Sequence, residues 1–127
     1  MKILIKSATI IDASSPFHRQ TKDILLQDFQ IIQVEDHIET SDDQLIEFKD
    51  LHVSQGWFDS SVSFGEPGFE ERETIKNGLR SAAAGGFTSV VLNSNPVSIL
   101  NSASQIDFVK TKGLHQACSL KPLGTVS

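Results

Sequence analysis

The residues best suited to do chemistry lie close together in Gln55–Gly68, which reads QGWFDSSVSFGEPG. Side chains alternate along a strand, so a strand over Gly56–Phe64 puts Trp57, Asp59, Ser61 and Ser63 on one face. Phe58, Ser60, Val62 and Phe64 take the other. Past Trp57 the first face is polar, as a pocket-facing set would be, and the second is mostly apolar and suited to packing against helices. The bland alternative is that the serines merely end a strand near solvent. In either case Ser61 and Ser63 supply hydroxyls, which hydrogen-bond well but have no anionic form near pH 7 and are weak metal ligands.

Other candidates carry less. Asn93 and Asn95 in a Pro-containing loop read as plain turn formers. His18, His37, His52 and His115 show neither His-x-His nor His-Glu-x-x-His spacing, so each reads as an ordinary, partly exposed histidine. Cys118 reads as a small buried hydrophobe within an apolar strand. As the single cysteine it excludes an internal disulfide and a Cys-clustered zinc site. Gly85-Gly86 follows a helix, the wrong end for a phosphate loop.

The elements that must position these residues change character along the chain. Lys2–Lys6, Thr9–Ile11, Asp23–Gln27, Gln30–Val34 and Gln44–Phe48 are short β-rich pieces with polar separators, and Asp12–Pro16 is a turn-forming loop. They predict a small β-sandwich-like subdomain over residues 1–55. From residue 56 the pattern becomes β-α-β-α-β. A helix is expected over Glu70–Ala84, with Ile75, Leu79, Ala82 and Ala83 as its apolar stripe and Glu70, Glu71 and Glu73 at its N-terminal dipole. Gly85-Gly86 stops it. Phe87–Leu92 is a buried parallel strand. Ser102 and Gln105 form a capping-box pattern, opening a helix that turns Ile106 and Val109 inward and ends at Gly113. His115–Leu120 is the third strand candidate. Consecutive βαβ units predict an α/β fold with a parallel sheet.

The chain of 127 residues is 39% hydrophobic and 21% charged, as in a soluble globular protein. No run approaches the roughly 20 apolar residues of a membrane span, and no secretory signal is evident. A cytoplasmic location is expected, without membrane association. The net charge of −5 argues against a nucleic-acid partner, which needs a basic face.

Gln55–Gly68 and Glu73–Thr88 (ETIKNGLRSAAAGGFT) together resemble the dihydroorotase branch of the amidohydrolase superfamily. That branch carries a pattern like Pro-Gly-x-Ile-Asp-x-His-x-His-x-Arg-Glu-Pro-Gly, then Glu-Thr, then Ala-Ala-x-x-Gly-Gly-Phe-Thr. The resemblance implies a β-domain followed by a (β/α)8 barrel and hydrolytic opening of dihydroorotate in pyrimidine synthesis. It also implies one or two zinc ions, whose first ligands are the His-x-His pair. Such a barrel needs about 250 residues, so residues 56–127 are expected to be its first βαβαβ units, a truncated part.

Against that pattern, Ser61 and Ser63 stand where the histidines belong, and Gly65 replaces the arginine that holds the substrate carboxylate. Gln55 replaces a proline. Asn93-Ser94 resembles the pair that contacts substrate in the family. The expectation is a degenerate site with no zinc and no catalytic residue of its own. The retained scaffold would associate with further copies, with the rest of a barrel, or with aspartate carbamoyltransferase. The alternatives are an active dihydroorotase or allantoinase-type hydrolase with a rearranged site, and an unrelated small binding module.

Overall fold

A ten-residue strand, β1 (Lys2–Ile11), organises the first half of the chain. The structure is a computed structural model that describes residues 1–39, 44–94 and 99–125. It divides into two compact units, Met1–Gln55 and Gly56–Ser127.

In the first unit β1 pairs antiparallel with β2 (Thr21–Gln27), which pairs antiparallel with β3 (Gln30–Glu35). Along its other edge β1 pairs in parallel with β4 (Gln44–Ile46) through Ile3–Ile5, and with β5 (His52–Ser54) through Thr9–Ile11. The result is one five-stranded mixed sheet, not the two packed sheets expected of a sandwich. Leu4 and Leu25 pack with Ile38 on one face, while Ile10 and Ile24 pack with Phe17 and Val53 on the other. The second face lines a cavity of about 360 Å³.

The two β-pieces expected at Lys2–Lys6 and Thr9–Ile11 are one strand with an irregularity between Ile5 and Ala8. Ser7 takes a φ of 52° there, and its N–H donates to Asp23 Oδ1 at 2.8 Å. Asp23 is only 2% exposed, and its Oδ2 accepts from the N–H of Ile38 at 3.0 Å. One buried carboxylate thus pins both the bulge and the Ile38 loop. Asp23→Ala leaves two N–H groups without their acceptor and is expected to cost about 2 kcal/mol, read as a lower urea midpoint.

The β2–β3 hairpin turns on Asp28 (φ 49°) and Phe29 (φ 67°), the left-handed pair of a two-residue hairpin turn. Phe29 is 94% exposed, so its ring gains nothing for the strain of its backbone. Phe29→Gly is expected to raise stability by about 1 kcal/mol, seen as a higher thermal midpoint.

The second unit is β6 (Trp57–Val62), α1 (Ile75–Ala84), β7 (Phe87–Leu92), α2 (Ala103–Lys112) and β8 (Ser119–Pro122). Its sheet is parallel in the order β6-β7-β8. Ile75 and Leu79 from α1, Val90 and Leu92 from β7, and Val109 from α2 join Phe64, Leu100 and Cys118 in one core.

Helix α1 begins five residues later than the acidic cluster suggests. Thr74 is its N-cap, accepting from the N–H of Asn77, and no acidic residue lies in the first turn. Glu70, Glu71 and Glu73 belong to the preceding loop. Helix α2 is capped by Ser102, whose Oγ accepts from the N–H of Gln105. Gln105 Oε1 reaches back to accept from the N–H of Asn101 at 3.2 Å, one residue earlier than in the usual box. The last strand starts at Ser119, after the expected His115, and Cys118 is buried in the bend before it.

Candidate functional site

Parallel pairing brings the C-terminal ends of β6 and β7 side by side, since the N–H of Asn93 donates to the carbonyl of Val62 at 2.9 Å. Asn93 Nδ2 then donates to Ser61 Oγ at 2.8 Å. Two of the residues singled out in the sequence therefore meet. Asp59 turns its carboxylate onto the N–H of Ser61, at 2.9 Å.

Ser63 engages a residue that the sequence reading did not single out. Arg72 Nη2 donates to Ser63 Oγ at 3.0 Å, to the Ser63 carbonyl at 3.3 Å and to the carbonyl of Phe64. Only its charge, four residues past Glu66-Pro67-Gly68, could have drawn attention to it. The strand faces are also less uniform than alternation predicts. Val62 and Phe64 pack into the core as expected, but Phe58 is 60% exposed, so the apolar face is buried only at its C-terminal end.

The loop from Gly65 to Thr74 sets this geometry. Gly65 donates its N–H to Glu73 O at 2.9 Å and accepts from the N–H of Phe69 at 2.8 Å. A Cβ at Gly65 would lie 1.9 Å from Phe69 O and 2.7 Å from Glu73 O. This backbone has no room for the arginine of the family pattern. Glu66, which follows, is buried. Its Oε2 accepts from the N–H of Ile75 at 2.9 Å and its Oε1 lies 3.4 Å from Lys112 Nζ, so it ties the loop to the start of α1 and to α2. The N–H of Gly68 donates to Glu70, holding that exposed carboxyl below its ordinary range. The contact is therefore present at neutral pH and is lost as the pH falls through that lowered value.

The remaining candidates lie apart from this site. Gln55, in the first unit, donates through Nε2 to Asp12 Oδ2 at 2.9 Å and to Ser14 Oγ at 3.3 Å. His18 Nδ1 accepts from the N–H of Asp12, and His52 bonds the carbonyl of Asp50. His37 lies between Asp23 and Glu39. Burial pushes the Cys118 thiol up, away from the reactive thiolate. The turn reading of Asn95 falls outside the described residues. Among those residues no three His, Cys, Asp or Glu side chains gather to hold a metal. Two hydroxyls, a carboxamide and a guanidinium do not form a zinc-selective donor set.

The chain is 35% identical over its whole length to a dihydroorotase of Pelotomaculum thermopropionicum, spanning 30% of that protein. It is 37% identical, over 98% of its length, to a dihydroorotase of Syntrophotalea carbinolica, of which it spans 33%. The chain is homologous to dihydroorotases. It spans about a third of the length of these curated relatives. No family model matches it. In fold it is similar to a D-hydantoinase from Thermus sp., with a TM-score of 0.75 and 23% identity over 98% of this chain and 28% of that one. It is also similar to a dihydroorotase structure, with a TM-score of 0.68 and 17% identity over 97% of this chain and 31% of the other. The α/β fold class expected from the sequence is thus present. Among the described residues no helix is long and apolar enough to cross a membrane.

Proposed function

We propose that this chain is a dihydroorotase-like part of the pyrimidine-synthesis lineage that has lost catalysis and acts as a scaffold. In this reading residues 1–55 form the small β-domain and residues 56–127 the first units of an amidohydrolase barrel. The observation that carries it is the bonding at the mouth of β6 and β7. Ser61 is engaged by Asn93 and Ser63 by Arg72, so the two positions that hold metal in the family pattern are used for internal hydrogen bonds. A neutral serine hydroxyl is already a weak zinc donor, and one that shares its oxygen with such a bond offers zinc still less. Gly65 cannot take the part of a substrate-holding arginine.

What remains is a packed core and a sheet whose β6 and β8 edges are open among the described residues. Open edges favour partners, which suits association with further barrel strands, with other copies or with a carbamoyltransferase. Turnover tests the reading: the protein expressed from its complete gene, given dihydroorotate or carbamoyl aspartate with added zinc, is expected to show no interconversion above the uncatalysed rate. Zinc-dependent turnover would favour a rearranged active site instead.

A further inference from the structure

We infer that the outer edge of β3 is a self-pairing surface, through which two copies of this chain join antiparallel and merge their five-stranded sheets into one. The surface belongs to the first unit and does not depend on whether catalysis is lost.

Strand β3 ends the sheet order β3-β2-β1, with β2 on one side and, among the described residues, no strand on the other. Proteins guard such an edge with lysine, proline, a bulge or a covering segment. Gln30–Glu35 (QIIQVE) holds no lysine, arginine or proline. Ile31 is 64% exposed and Ile32 50%. A bulge is present: Leu25 pairs with Gln33 and Leu26 with Ile31, which leaves Ile32 as an extra residue.

The pattern of this edge complements itself. Ile31 and Val34 both line the cavity, so they share a face of the sheet. An antiparallel two-fold axis between Ile32 and Gln33 sets Ile31 opposite Val34 of the second copy, and Val34 opposite its Ile31. The same patch serves on both sides, as a two-fold interface requires. The two bulges then lie across the axis from each other, so the extra residue does not upset the register. A slip by one residue would set Ile31 opposite Gln33, whose partner Leu25 packs on the other face.

Charge selects the same arrangement. Glu35 is the one charged residue of β3. The antiparallel register sets it opposite Gln30 of the second copy, whose carboxamide can donate to it. Parallel pairing would set Glu35 beside Glu35, and like charges directly opposite repel. Asp36, the next residue, is already paired with Lys22 at 2.6 Å.

Sedimentation equilibrium of the full chain tests the inference, with amide exchange to locate the contact. A reversible monomer–dimer equilibrium is expected, with exchange slowed on association in Gln30–Glu35. Ile31→Lys is expected to weaken association roughly tenfold or more, since it places a charge against Val34 twice per dimer. Gln30→Lys, facing Glu35, is expected to strengthen it several-fold. Gln30→Lys combined with Glu35→Lys sets lysine opposite lysine and is expected to associate more weakly than the parent, although its net charge is nearer zero. Gln30 and Glu35 are exposed, so these variants keep the fold even if Ile31→Lys does not, which circular dichroism checks.

A chain that stays monomeric up to its solubility limit overturns the inference. So does a folded Ile31→Lys that associates as tightly as the parent, or a doubly substituted chain that associates more tightly. Exchange slowed in Ser119–Pro122 and not in Gln30–Glu35 also overturns it, because the β8 edge would then be the contact.

Discussion

Gly65→Ala is expected to unfold the second unit or to cost it more than about 4 kcal/mol, among the largest effects a single substitution has. Gly65→Arg is expected to do the same, although by sequence pattern it looks like a repair. The atoms a Cβ would strike are all backbone: Phe69 O at 1.9 Å, Glu73 O at 2.7 Å and Glu73 N at 2.9 Å. No rotamer change relieves such contacts, and moving the backbone breaks the bond from the N–H of Gly65 to Glu73 O. The same movement would displace Arg72 from Ser63 and Thr74 from its cap on α1. Urea unfolding followed through Trp57 and circular dichroism measures the loss. A Gly65→Arg protein as stable as the parent would show that the loop is not closed as described.

The second large effect is a gain. Ser61→His with Ser63→His is expected to raise zinc affinity at least about a hundredfold over the parent. Outer-shell partners alone change metal affinity by roughly 10–100-fold, and these are the ligand positions themselves. Both serines are exposed, so the larger rings have space. The double substitution also frees Asn93 and Arg72 from their present acceptors. Isothermal titration with zinc reads the change. A parent that already binds zinc as tightly as the variant would contradict the metal-free account.

Much of the fold was legible because periodicity and caps act locally. The β-rich pieces at β1 to β3 and the Ser102–Gln105 pattern specify elements that the structure contains. Other features depend on long-range partners. The parallel strand β5 has only three residues, His52–Ser54, too few to reveal a period, and exists because Thr9–Ile11 offers it an edge. The acidic run at Glu70–Glu73 matched the helix dipole, yet α1 starts where Thr74 caps it and Glu66 meets the N–H of Ile75.

The site divides in the same way. Ser61, Ser63, Gly65 and Asn93 all stood out against the family pattern. Arg72 had no such signal, because its role comes from a loop folding back on β6. The crowding at Gly65 was equally hidden. A missing side chain reads as a loss in sequence, whereas here the loop requires it.

Metal content tests the central claim most directly. The protein is expressed from its complete gene, purified without chelator in medium containing zinc, and its metals are counted by inductively coupled plasma mass spectrometry. The account predicts well under one zinc per chain, unchanged by Arg72→Gln. One or two zinc ions per chain, removed only by strong chelation, would contradict it.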